Sequence, residues 1–81
     1  MTGNAIVIEQ ERHFSGHWLK VSMQNAGKPG KLYLLNSSGR LLRQVVLTAT
    51  CTVIDISQLE EQQVQVRVET VHETVQQWLD L

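Results

Sequence analysis

The stretch Lys31–Ser57, KLYLLNSSGRLLRQVVLTATCTVIDIS, decides the fold of this 81-residue chain. Its first apolar run, Leu32–Leu35, bends back at Asn36–Gly39 into a second run, Leu41–Leu47. Apolar runs joined by a short Asn-, Ser- and Gly-rich segment are typical of β-hairpins. A third run, Thr50–Ile56, follows and alternates in polarity. The stretch therefore predicts three strands, the first two joined by a four-residue connection.

Alternation of apolar and polar residues continues on both sides of this stretch. Ala5–Ile8 and His17–Gln24 precede it as predicted strands, and the segment Asn25–Gly30 forms a predicted turn. Val64–Val68 follows with valine at every second position, which predicts a strand with one buried face. The tail, Thr74–Leu81, fits two patterns, because its apolar residues share a face in a strand and also in a helix. Its β-branched Thr-Val pairs favour the strand.

The number of strands and the spacing of the turns set the fold class. About seven short strands separated by turn signals are typical of an antiparallel β-sandwich. We therefore predict an all-β chain: a small antiparallel β-sandwich, immunoglobulin-like, forming a single domain over residues 1–81. Both runs of the central hairpin are apolar on both faces, with Leu41, Val45 and Leu47 together on one face of the second run. This predicts either central strands covered on both sides or strands with one face resting on a partner.

Composition excludes several classes of partner. Seven basic and eight acidic side chains give a formal net charge of -1, so the chain has no field that would hold a phosphate backbone, and we expect no nucleic-acid partner. No apolar run approaches the roughly 18 residues that cross a bilayer, so no membrane insertion is expected. The N-terminal residues lack the pattern of a signal peptide. The chain is therefore expected to be cytoplasmic if complete, or else part of a larger exported protein.

Few residues are candidates for chemistry. His13 and His17 have the spacing of two metal ligands on a helix, but Gly16 and strand-like flanks predict surface histidines beside a turn. Cys51 lies in an alternating run, which predicts a small buried or edge residue rather than a nucleophile. Ser57 lacks the context of a nucleophilic serine. We therefore expect no catalytic site, no metal, no cofactor and no enzymatic activity.

Two aromatic and several basic residues have alternative interpretations. Trp18 and Trp78 lie near opposite ends of the chain, and the average burial of tryptophan favours the core for both. If one is exposed, it marks a contact surface. Arg40 and Arg43, with two lysines, are expected to form a solvated rim at one end of the central hairpin rather than an anion site.

Three segments together resemble a known family. Leu32–Leu42 contains Asn-x-x-Gly-Arg between apolar runs, Ile54–Leu59 has the form Ile-Asp-Ile-Ser-x-Leu, and Val66–Val68 has the form Val-Arg-Val. In this order the segments resemble the C-terminal sorting domain of cargo proteins of the Bacteroidetes type IX secretion system, the Por secretion tail. The resemblance extends from Leu19 to the end of the chain.

The resemblance implies a function through recognition rather than catalysis. A domain of this family would be recognised by an outer-membrane translocon and a cell-surface sortase, so its partners would be proteins of the secretion and attachment machinery and its location the cell surface. The matching structural or recognition residues are Gly39, Arg40, Asp55, Ser57, Leu59 and Arg67. Gly39 would give the hairpin its backbone freedom, Asp55 would accept turn amides or pair with Arg40, and Leu59 would fill the core.

Two other functions remain open. A stand-alone β-sandwich would serve as a protein-protein interaction or dimerisation module, since exposed strand edges pair readily with another strand and a homodimer is one form of this. A small enzyme or metal protein would have to be built on His13, His17 and Cys51, which do not make a complete site.

Overall fold

The computed structural model of the chain describes residues 6–23, 29–71 and 73–81. These residues form seven strands and no helix: β1 (Ile6–His13), β2 (Gly16–Met23), β3 (Gly30–Leu35), β4 (Leu41–Leu47), β5 (Cys51–Asp55), β6 (Gln63–Glu69) and β7 (Thr74–Asp80). Every strand pair is antiparallel. The prediction of an all-β chain of about seven strands is confirmed, and no helix long and apolar enough to span a membrane lies in these described ranges.

The strands form two sheets, one in the order β1-β2-β5 and the other in the order β4-β3-β6-β7. Two sheets of three and four antiparallel strands are consistent with the predicted small β-sandwich. Lettered A to G in chain order, the strands give A-B-E and D-C-F-G. In an immunoglobulin constant-type domain the fourth strand pairs with the fifth, whereas here it pairs with the third.

The chain also divides into two compact units, each of which contains one sheet. Residues 1–26 and 49–59 make the unit with the three-stranded sheet, and residues 27–48 and 60–81 make the unit with the four-stranded sheet. The expectation of one domain over residues 1–81 stays a prediction.

In the three-stranded sheet, alternation in sequence becomes one buried face. Leu19, Val21 and Met23 of β2 are all buried, as their spacing predicts. Apolar residues of the flanking strands face the same way, since Ile8 pairs with Val21 and Ile54 pairs with Leu19. β1 is longer than predicted because its charged half, through His13, stays paired with β2. Ala5 and Gln24, predicted strand residues, lie outside the described ranges, as do residues 25–28 of the predicted turn.

In the four-stranded sheet, the two central strands supply most of the buried residues. Leu32 and Leu34 of β3, all three alternating valines of β6, and Leu47 of β4 are fully buried. The valine pattern is therefore confirmed as a strand with one buried face. The tail is also a strand, β7, with Leu79 buried, so the helical alternative is wrong. Apolar side chains that repeat at every second residue place their whole set on one face of a pleated sheet.

Of the two predictions for β4, the central strand is wrong, because β4 lies at the edge of its sheet. Leu34 pairs with Arg43, but the next residue, Leu35, pairs with Leu41. Leu42 of β4 is therefore an extra residue without a partner position on β3. A β-bulge of this kind interrupts alternation. Leu41 therefore does not share a face with Val45 and is 48% exposed. The apolar residues on both faces of β4 reflect an edge strand with a bulge and not burial on both sides.

Candidate functional site

The turn between β3 and β4 contains the first part of the family-like motif. The side-chain oxygen of Asn36 accepts hydrogen bonds from the backbone N–H groups of Ser38 and Arg40, each at 2.9 Å. The N–H of Asn36 donates to the Arg40 carbonyl at 2.9 Å, so the connection spans five residues rather than the predicted four. Gly39 has φ +84°, which only glycine adopts without strain. Arg40 is exposed and belongs to the turn through its backbone.

A second turn, after β5, contains the Ile-Asp-Ile-Ser-x-Leu residues. The Asp55 carboxylate accepts the Ser57 N–H at 2.9 Å, which matches the expectation that Asp55 binds a turn amide. Ser57 Oγ accepts the N–H of His17 at 2.9 Å and donates to the His17 carbonyl at 3.4 Å. Ser57 therefore joins the end of β5 to the start of β2. Leu59, which the resemblance implied would fill the core, is half-buried.

These placements separate the candidate residues into three groups. Gly39 and Arg40 share one turn; Asp55, Ser57 and Leu59 share another, in the other unit; and Arg67 lies on β6. Pairing of Asp55 with Arg40 stays a prediction. The contacts of the first turn close the backbone locally, and those of the second also join β5 to β2 through Ser57, so these turn residues stabilise the scaffold.

Arg67 lies in a different setting, on the face of the four-stranded sheet opposite the buried valines. Two of the rows of side chains that cross this face contain its aromatic residues. The first row is Leu41, Leu35, Gln65 and Trp78, and the second is Gln44, Tyr33, Arg67 and Gln76. We call these eight residues the aromatic face. Trp78 is 54% exposed, so the prediction that it fills the core is wrong: β7 turns it to the face opposite Leu79.

Polar contacts order the aromatic face. Arg67 Nη2 lies 2.9 Å from a carboxylate oxygen of Glu69, two residues along the same strand. Gln65 donates to the side-chain oxygen of Gln76 at 3.3 Å, between β6 and β7. Arg67 Nε is buried and has no hydrogen-bond partner among the described residues. The guanidinium is thus fixed by one ion pair and by packing, and it presents a preordered cation beside Tyr33.

The β1–β2 hairpin places the two histidines on opposite faces of its sheet. His13 Nε2 lies 3.2 Å from a Glu11 carboxylate oxygen, and the His13 ring stacks obliquely against Trp18 at 5.2 Å. His17 Nε2 lies 2.8 Å from the side-chain oxygen of Gln10. The two rings therefore do not converge on one point, and within the described ranges no group of three or more His, Cys, Asp or Glu residues is arranged to hold a metal. Trp18 itself is half-buried, not a core residue.

The surroundings of His17 change the pKa of its imidazole. Burial lowers the pKa of His17 below its ordinary value of 6.5, and the positive charge of Arg12, its cross-strand neighbour, lowers it further. Cys51 was predicted to be a small buried residue or an edge residue. It is exposed on β5, an edge strand, so the second alternative is confirmed.

Two residues that matter here were not predicted as candidates. Asn36 closes its turn through its side chain, and its position before Ser-Ser-Gly is a recognisable signal for an Asx-turn. Gly16 matters because a Cβ there would lie 2.9 Å from Ser57 Oγ and 3.2 Å from the Trp18 ring. No local pattern reveals that contact, since Ser57 lies 41 residues further along the chain.

Comparison with known proteins gives no relative from which to assign this site: no family model, no curated protein and no solved structure matches the chain.

Proposed function

We propose that this chain is a non-catalytic β-domain recognised by other proteins through its aromatic face, as a C-terminal sorting domain of the type IX secretion system would be. The observation that carries the proposal is that Trp78, which is 54% exposed, lies on the same side of the four-stranded sheet as the part-buried Tyr33 and Arg67. Trp, Tyr and Arg are the residue types that contribute most to binding energy at protein interfaces.

The charge on this side of the sheet favours a protein partner over a polyanion. Lys31 and Glu69 lie opposite each other on β3 and β6, and Glu69 also pairs with Arg67. Positive charge is therefore compensated locally. A surface that is apolar at Leu35 and Trp78 and polar around them has the composition of a protein-binding patch.

The family-like turns support this proposal indirectly. Asn36 and Gly39 close the turn that joins β3 and β4, two of the strands that carry the aromatic face. Arg67 is then the one family-like residue that would contact the machinery directly. The chain differs from family tails at Gln62, where those tails usually have glycine.

The test is a secretion assay. The chain, fused to the C-terminus of a periplasmic reporter in a strain with a working type IX system, should carry the reporter to the cell surface. Arg67→Gln and Trp78→Gln should each reduce display roughly tenfold, the effect of losing one interface anchor. Lys20→Gln and Phe14→Gln are matched controls, since they remove a positive charge from β2 and an exposed aromatic ring from the β1–β2 turn, and they should leave display unchanged. A wild-type fusion retained in the periplasm would refute the sorting role.

A second candidate function is a stand-alone interaction or dimerisation module. The observation that favours it is β7, an edge strand that is exposed along most of its length and carries Trp78. Light scattering of the purified chain over a range of concentrations tests self-association without reference to secretion.

A further inference from the structure

The four edge strands of the two sheets differ in how well they are protected against pairing with another strand. β1 carries three charged residues, Glu9, Glu11 and Arg12; β5 has only five residues; and β4 has a bulge and a charged Arg43 on the face that is otherwise buried. Charges, shortness and bulges are the usual protections of sheet edges. β7 has none of them before Asp80: its seven residues pair with β6 in unbroken register.

The direction of the backbone groups on β7 follows from two hydrogen bonds at its ends. The N–H of Leu81 donates to the Gln62 carbonyl, and the N–H of Thr70 donates to the Glu73 carbonyl, both at 2.9 Å. In an antiparallel ladder, residues alternate between bonding to the neighbour and pointing away from it. Odd-numbered residues of β7 therefore bond to β6, whereas Gln76 and Trp78 direct their N–H and C=O groups away from it.

We propose that a second copy of this chain pairs antiparallel with β7 across a two-fold axis at Gln77, joining two four-stranded sheets into one sheet of eight strands. In this register Gln76 of one copy lies opposite Trp78 of the other. The two symmetry-related pairs exchange four backbone hydrogen bonds, because both residues have outward-directed groups. Moving the axis to Gln76 or to Trp78 would reduce the pairing within β7 from seven residues to five.

The side chains of β7 are self-complementary in this register. On one face Val75 lies opposite Leu79 of the second copy, and the Gln77 side chains meet at the axis. On the other face the Trp78 ring lies over the Gln76 side chain of the second copy. Asp80, the single charged residue of the strand, lies opposite the neutral Thr74 of the second copy. The two Asp80 carboxylates therefore lie at opposite ends of the paired strands. An isologous contact of this kind needs no second type of surface.

A pair of seven-residue strands buries less area than a standard protein interface. We therefore expect a dissociation constant for the dimer on the order of 0.1 mM. The inference extends the interaction-module function and does not depend on sorting. A reporter that stays in the periplasm would not contradict the dimer proposal. A chain that does not self-associate would not contradict recognition through the aromatic face, which the secretion assay tests separately.

The decisive experiment uses the residue at the axis. Gln77 is exposed, and only this register places it opposite itself. Gln77→Lys and Gln77→Glu each set like charges directly opposite, so each variant alone should dimerise roughly two- to fivefold more weakly, and a mixture of the two should associate at least as tightly as the wild-type chain. Gln44→Lys and Gln44→Glu, the same changes on the bulged edge strand β4, should have no effect. Sedimentation equilibrium, with one variant labelled, measures all of these.

Amide hydrogen exchange provides an independent readout. The amides of Gln76 and Trp78 should become protected as the protein concentration rises, whereas those of Gln77 and Leu79 should be protected at every concentration. Gln76→Pro removes an outward N–H without removing a backbone hydrogen bond to β6, and it loses only the exposed side-chain contact with Gln65. It should therefore abolish the dimer while the chain stays folded. A chain that is monomeric at millimolar concentration, or a dimer that responds equally to the Gln44 and Gln77 variants, would overturn the proposal.

Discussion

Asn36 shows how one side chain can close a connection between strands. Its side-chain oxygen accepts two backbone amides, and its own N–H bonds to the Arg40 carbonyl. Asn36→Ala should lower the free energy of unfolding by about 1–2 kcal/mol, because two amides lose their acceptor. Asn36→Asp keeps the acceptor oxygen and should stay close to the wild type. Urea denaturation measures both variants, and equal losses in the two would show that the side-chain oxygen is not the cause.

His17 gives the chain a pH-dependent stability. Its pKa in the folded chain lies below the 6.5 of the unfolded chain, because of burial and then of Arg12. The unfolded chain therefore binds more protons in mild acid, so the stabilisation is complete above pH 6.5 and is lost as the pH falls through the lowered pKa. The melting temperature of the wild-type chain should fall between pH 7.5 and pH 5, and His17→Gln, which is neutral throughout, should flatten that slope. An unchanged slope would contradict the assignment to His17.

At the scale of the strand, alternation predicted burial well in the central strands and failed in the bulged edge strand β4. In β2 and β6 every second residue is buried as expected, because neighbours on both sides hold the strand in register. In β4 the bulge at Leu42 breaks the pattern, and a bulge leaves no mark in a run such as Leu-Leu-Arg-Gln. Trp78 is apolar but lies on the exposed face, which period-two alternation with Leu79 already indicated. Average tryptophan burial was the weaker guide.

The contrast between the central strand β6 and the edge strand β4 predicts that the same substitution lowers the free energy of unfolding by different amounts in the two. Val66→Ala in β6 removes two methyl groups from a fully buried position and should cost roughly 2 kcal/mol, from lost burial and the cavity left behind. Val46→Ala in β4 removes the same atoms from a side chain that is 57% exposed, and it should cost less than about 0.5 kcal/mol. Chemical denaturation of both variants checks the difference, and comparable losses would mean that the outer side of β4 is covered in solution.

At the scale of the whole molecule, the candidate site could not be predicted from local patterns. The aromatic face takes residues from β3, β4, β6 and β7, and its rows depend on the pairing register of four strands. The sequence indicated the turns and the valine strand, since those signals are local. It did not place Tyr33 beside Arg67, because 34 residues separate them in the chain. The two residues are neighbours because β3 pairs with β6, which only the strand order shows.

The chain path also predicts how the molecule unfolds. Each sheet takes strands from two separate segments, and each unit has fewer than 45 residues, a size at which chains without disulfides or metals are marginal alone. We therefore expect a single cooperative transition. Val21→Ala, in the three-stranded sheet, should lower amide protection at Leu34 in the four-stranded sheet by the same free energy as at Leu19. Hydrogen exchange under native conditions measures both sites. A loss confined to Leu19 and its neighbours would mean that the two sheets unfold separately, and the single-domain prediction would then be wrong.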